Sequence, residues 1–162
     1  MPWVRVITLR IKSNPGGVAT TSGYDLDSMH KTIELSAEYV AGITPARLRS
    51  EICGVVAHEL VHCFQYDGHG TFPGGIIEGL ADSVRLSMGL EPPHWKRSFD
   101  GLWDAGYDST AYFLEYLCRR FGRDVVKCIN AQLQHEYEED DFWVNVLGTP
   151  VKELWADYCR EQ

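Results

Sequence analysis

The sequence predicts an α+β fold, with a small, mostly antiparallel N-terminal sheet packed on a helical body. Three observations carry this. Residues 4–11 (VRVITLRI) are dense in β-branched side chains, which favour extended chain. A turn signal, Asn14-Pro15-Gly16-Gly17, and two further β-prone stretches follow within the first 40 residues. From Thr44 onward, long stretches of helical character alternate with glycine and proline stops.

Taken in order, the first strand would turn Val4, Val6, Thr8 and Arg10 one way and Arg5, Ile7, Leu9 and Ile11 the other. Residues 18–22 (VATTS) read as a weaker strand, and residues 31–40 (KTIELSAEYV) contain a third, centred on residues 32–35. Thr44-Pro45 is a helix start signal: an N-cap hydroxyl, then a proline whose missing N–H costs nothing in the first turn. That helix should run to about residue 66 and stop at Asp67-Gly68. Pro73-Gly74-Gly75 leads into a second helix over about residues 76–88, closed by Gly89. Residues 91–107 hold two prolines, two glycines and several aromatics, and read as an ordered loop. A third helix covers about residues 109–121 and a fourth about 124–137. Two short helices follow, near residues 140–147 and from Thr149-Pro150 onward. The acidic run Glu136 and residues 138–141 suits a solvated helix N-terminus. No repeat or linker interrupts the chain, so a single domain over residues 1–162 is expected.

The composition narrows the partners. Hydrophobic residues make up 44% and charged residues 23%, which fits a globular chain and excludes disorder. The 23 acidic against 15 basic side chains leave a net charge of −8. Nucleic acids and anionic membranes attract the opposite sign, so neither is expected as a partner. No run of about 18 apolar residues exists to span a membrane. The start, Met1-Pro2-Trp3-Val4-Arg5-Val6, lacks the features of a signal peptide. A cytoplasmic location is therefore expected, or a secreted one if the chain is a trimmed form. Cys53, Cys63, Cys118, Cys128 and Cys159 form no CxxC pair and read as free, mostly buried thiols. Trp95, Phe99, Trp103, Phe113, Tyr116, Trp143 and Trp155 read as core, and Arg119 and Arg120 as surface cations near a helix end.

The chemistry concentrates in His58-Glu59-Leu60-Val61-His62, inside the first long helix. Residues four apart share a helix face, so the two imidazoles can grip one ion. Glu59 lies about 100° round from His58, able to reach a water on that ion without binding it. This HExxH pattern supplies two zinc ligands and a general base. A third ligand is needed, with one position left open. A third histidine would require HExxHxxGxxH, but position 65 is Gln65, position 68 is Gly68, and His69 falls one residue late. Cys63 points over 100° away from the metal face. Glu78 and Asp82, four apart in an otherwise apolar, glycine-rich helix, fit best. Glu78 would bind the metal, and Asp82 would accept the second N–H of a ligand imidazole.

His58–Gln65 (HELVHCFQ), Pro73–Leu86 (PGGIIEGLADSVRL), Pro93-His94-Trp95 and Gly106–Leu114 (GYDSTAYFL) resemble the plant, fungal and bacterial basic secretory protein family of zinc peptidases. The resemblance runs from about residue 4 to residue 158. It implies a gluzincin-like, metallopeptidase-like helical body in which the HExxH helix is the active-site helix and a downstream glutamate completes the metal site. Glu78-Gly79-Leu80-Ala81 is also similar to the segment bearing the glutamate ligand in zinc aminopeptidases. The acidic charge departs from the family's name.

A donor to the developing oxyanion completes the set. Tyr107, at a loop-to-helix junction just before an apolar helix, resembles in placement the catalytic tyrosine of zinc aminopeptidases, and His94 is the other candidate. The expected protein is thus a zinc-dependent metallopeptidase that hydrolyses peptide bonds through a metal-activated water, with the strand near residues 32–35 as a sheet edge for an extended peptide. Two alternatives stand beside it: a zinc hydrolase or biosynthetic enzyme acting on a small amide or ester, and a non-catalytic zinc-stabilised binding module. The intact Glu59 favours an enzyme, because a purely structural site needs no base.

Overall fold

The computed structural model describes residues 1–13 and 16–161. Three strands open the chain: β1 (Val6–Lys12), β2 (Ala19–Tyr24) and β3 (Asp27–Ser36). Then come α1 (Ala37–Gly42), α2 (Leu48–Phe64), α3 (Gly74–Ser87), α4 (Tyr107–Phe121), α5 (Val125–Gln132), α6 (Glu139–Leu147) and α7 (Val151–Cys159). The α+β class holds. Asn14 and Pro15, half of the expected turn, lie outside the described residues.

The sheet is mixed, not mostly antiparallel. Its order is β1-β3-β2, with β2 antiparallel to β3 and β1 parallel to it. β3 carries the buried Ile33 and Leu35, so it takes the centre, where both flanks are covered. The tight turn from Tyr24 to Asp27 makes β2 its hairpin partner, leaving β1 the far edge. β1 and β2 still run in opposite directions, as their short link requires, so β3 between them lies parallel to β1. The strand expected near residues 32–35 as a sheet edge is therefore the central one, and the free edges belong to β1 and β2.

β3 stops at Ser36 because its hydroxyl caps α1, accepting the Tyr39 N–H at 3.1 Å. This short helix had no signal strong enough to separate it from the strand before it. The Thr44-Pro45 start is displaced: Arg47 N–H donates to Thr44 O at 2.9 Å in a turn, and α2 begins only at Leu48.

α2 and α3 pack antiparallel against each other, with a polar seam. Glu51, Val55, His58 and His62 share one face of α2, and Glu78, Asp82 and Arg85 share one face of α3. At the far end of the seam, Arg85 donates to Glu51 Oε1 at 2.8 Å and to the Leu90 carbonyl at 2.9 Å. Tyr39 OH and Arg47 donate to the same carboxylate at 2.8 and 2.9 Å. Burial opposes the Glu51 charge, yet the hydrogen bonds from Arg47, Tyr39 and Arg85 hold its carboxyl below the ordinary range. Gly54 makes room for this: a side-chain carbon there would come 2.6 Å from Arg85 Nε.

The apolar core lies among α3 to α7. Phe113, Leu114, Leu117, Trp143, Leu154 and Tyr158 are at its centre, with Trp103 and Tyr116 buried and Phe99 and Trp155 partly so. Trp95 is the exception among the expected core aromatics. It lies outside this cluster, with the Arg85 guanidinium 5.3 Å from its ring centroid. The cysteines are unpaired, but only Cys63 is fully buried, while Cys53 and Cys128 are exposed. α3 approaches α4 very closely at Gly79, where a methyl would fall 2.3 Å from Thr110 Cγ2. No helix of the described residues is long and apolar enough to cross a membrane.

Candidate active site

The α2–α3 seam borders, along its length, a cleft of about 1080 Å³. His58, Glu59, His62, Glu78 and Asp82 line it, together with Tyr107, His94 and residues 16–21 leading into and along β2. All seven side chains singled out from sequence therefore border one space.

The two imidazoles, one turn apart on α2, turn their Nε2 atoms toward each other at 3.0 Å. Glu78, from α3, puts Oε2 3.2 Å from His58 Nε2 and Oε1 3.8 Å from His62 Nε2. Among the described residues this trio is the one group whose donor atoms converge, all within 4.8 Å. The outer nitrogens are tied back. His58 Nδ1 is 2.6 Å from Asp82 Oδ1, and His62 Nδ1 is 2.8 Å from Gln65 Oε1. Gln65 is oriented by its Nε2, which donates to the Ile77 carbonyl at 3.0 Å. Both Nδ1 atoms face acceptors, which favours a proton on each Nδ1 and turns both Nε2 atoms inward.

That convergence of two imidazole nitrogens and a carboxylate is a group that could hold a metal ion. Burial pushes His58 down, but hydrogen bonds with Asp82 and then Glu78 carry it up to about 9. Hydrogen bonds with His58 and His62 hold the Glu78 carboxyl down at about 2. A metal ion would take the place of the proton. Ligands about 2.0–2.1 Å from a tetrahedral centre sit about 3.3 Å apart, close to the 3.0 Å between the two Nε2 atoms and the 3.2 Å from His58 Nε2 to Glu78 Oε2. Two nitrogens and one carboxylate are a donor set that zinc accepts, with one position left for water. The trio fits such an ion.

Glu59 stands outside this triangle but lines the same cleft. Its carboxylate is buried and accepts a hydrogen bond at 2.6 Å from Thr21 Oγ1 of β2. Tyr107 begins α4 in the left-handed region, at φ 47°, a conformation that non-glycine residues pay about 1–3 kcal/mol to hold. The side chain is exposed on the cleft wall. Its backbone is pinned from behind: Gly106 N–H donates to Thr110 Oγ1 at 2.9 Å, and Thr110 donates to the Trp103 carbonyl at 3.0 Å. His94 and Trp95 form another stretch of wall, on the loop that Arg85 secures through Leu90.

Sequence reasoning missed Gln65 and Thr21. Gln65 lies three residues after His62, a spacing that places it on the same helix face. Thr21 is 38 residues from Glu59, and no local pattern connects them.

A family model described as a peptidase of plants and bacteria, that of the basic secretory proteins, matches residues 2–158. No curated protein and no solved structure matches the chain.

Proposed function

The chain belongs to the basic secretory protein family of plant and bacterial peptidases, and on that premise we propose that it is a zinc metallopeptidase. The observation that carries the reading is the convergence of His58, His62 and Glu78 on one point in a cleft, with Glu59 next along the same helix. His58, His62 and Glu78 would hold the ion. Zinc in such a site supplies a Lewis acid that brings the pKa of a bound water to about 7 and polarises the scissile carbonyl.

The remaining work falls to the chain's own side chains. Asp82 and Gln65 hold the two imidazoles in the Nδ1–H tautomer, presenting Nε2 to the centre. Glu59 takes a proton from the attacking water and later delivers it to the leaving amine. Tyr107 donates to the carbonyl oxygen as its charge grows, with His94 as the other donor on the wall. Among the described residues β2 pairs only with β3, and its residues line the cleft. An extended peptide can therefore add to its free edge by main-chain hydrogen bonds.

The test is hydrolysis of a peptide library by zinc-loaded wild type and Glu59→Gln. Wild type should cleave, while Glu59→Gln keeps its zinc and loses at least about 10²-fold in turnover. A wild type that cleaves no peptide, or a Glu59→Gln that cleaves as fast, overturns the reading.

A further inference from the structure

β2 contributes a side chain that the mechanism above does not use. Thr21 is in register with Ile33 of β3 and so shares the sheet face turned toward α2. Its hydroxyl lies 2.6 Å from Glu59 Oε2 and 3.1 Å from the Glu59 carbonyl oxygen. Both are acceptors, so the hydroxyl is the donor. Cys63, 1% exposed, follows on the same helix. A glutamate on a helix has three side-chain torsions, and α2 alone does not fix them all. A general base must stay within about 2.6–3.2 Å of the proton it abstracts, and an error of about 1 Å can cost 10²-fold in rate.

We infer that Thr21 is a positioning residue for Glu59: its hydroxyl clamps one carboxylate oxygen and leaves the other to exchange protons with the attacking water. The edge strand proposed to seat the peptide thus also sets the base. This rests on the reading of Glu59 as general base.

The experiment compares zinc-loaded wild type, Thr21→Val and Thr21→Ser on one peptide that wild type cleaves. Valine keeps the shape and removes the hydroxyl, and serine keeps the hydroxyl. Thr21→Val should lower kcat about 10–100-fold, the usual scale of a hydrogen bond to a charged group. KM should stay within about twofold and zinc content should be unchanged. Thr21→Ser should recover most of kcat. In a Glu59→Gln background, Thr21→Val should cause no further loss, because the carboxylate it positions is gone. Unchanged kcat in Thr21→Val overturns the inference. So does a rise in KM alone, which would make Thr21 part of the peptide platform, or a further loss in the Glu59→Gln background. If wild type cleaves nothing, the mechanism beneath fails and the inference falls with it. If wild type cleaves and Thr21→Val matches it, the inference falls alone.

Discussion

Changing Asp82 to asparagine keeps the side chain's shape and removes its charge. Asp82 is 2% exposed, and its Oδ1 lies 2.6 Å from His58 Nδ1, so water screens the contact little. The metal-free site shows the direction in which this contact acts. Burial alone would lower His58, yet hydrogen bonds with Asp82 and Glu78 raise it from 6.5 to about 9. A proton is therefore held about 3 kcal/mol more tightly than on a free imidazole, through the two carboxylates together. A cation at Nε2 gains from Asp82 through the ring in the same way. Asparagine still accepts a hydrogen bond, so only part of that is lost: about 1.4–2.7 kcal/mol, or 10–100-fold in zinc affinity. Competition titration against a chromophoric chelator measures it. Asp82→Asn should weaken zinc by that factor, and Glu78→Ala should lose nearly all of it. The reverse ranking would make Asp82 the ligand and refute the assignment.

Tyr107→Phe should slow turnover about 10²-fold without emptying the metal site, since the hydroxyl acts only once the oxyanion forms. Normal turnover in Tyr107→Phe with a slow His94→Ala would move the role to His94. Gly79→Ala would push a methyl to within 2.3 Å of Thr110, so thermal unfolding should show a loss of about 1–3 kcal/mol. An unchanged melting temperature would contradict the close α3–α4 approach. The metal-free protein should also show a pH window. His58, raised from 6.5 to about 9, contributes stability in full below pH 6.5 and loses it as pH rises through 9. Glu78, lowered from 4.5 to about 2, contributes above pH 4.5 and loses it as pH falls through 2. Both terms are present between pH 4.5 and 6.5. They are largely one interaction seen from its two ends, so they do not add. Urea unfolding of chelated protein that grows more stable from pH 6.5 to 9 would contradict this.

The site was legible where helical periodicity governs it. The four-residue spacings of His58 with His62 and of Glu78 with Asp82 put each pair on one face, and the structure keeps them there. Gln65 obeys the same rule, but in sequence it stands out only as a mismatch to a longer histidine pattern. The parallel pairing of β1 was not local. It depends on which strand takes the centre, and that follows from how deeply Ile33 and Leu35 are buried. Trp95 reads as core because hydropathy cannot tell a core ring from one that covers a buried guanidinium at a cleft wall. Thr21 sits in the weakest of the strands and acts on a residue 38 positions away, so only the fold brings it to Glu59.

An anomalous-scattering map from crystals grown with zinc, recorded on both sides of the zinc edge, tests the metal site most directly. We expect one peak about 2.0–2.2 Å from His58 Nε2, His62 Nε2 and a Glu78 oxygen, with Asp82 bonded only to the His58 ring. A map with no peak inside that triangle, or with the peak ligated by Asp82 or Cys63 instead of Glu78, would contradict it.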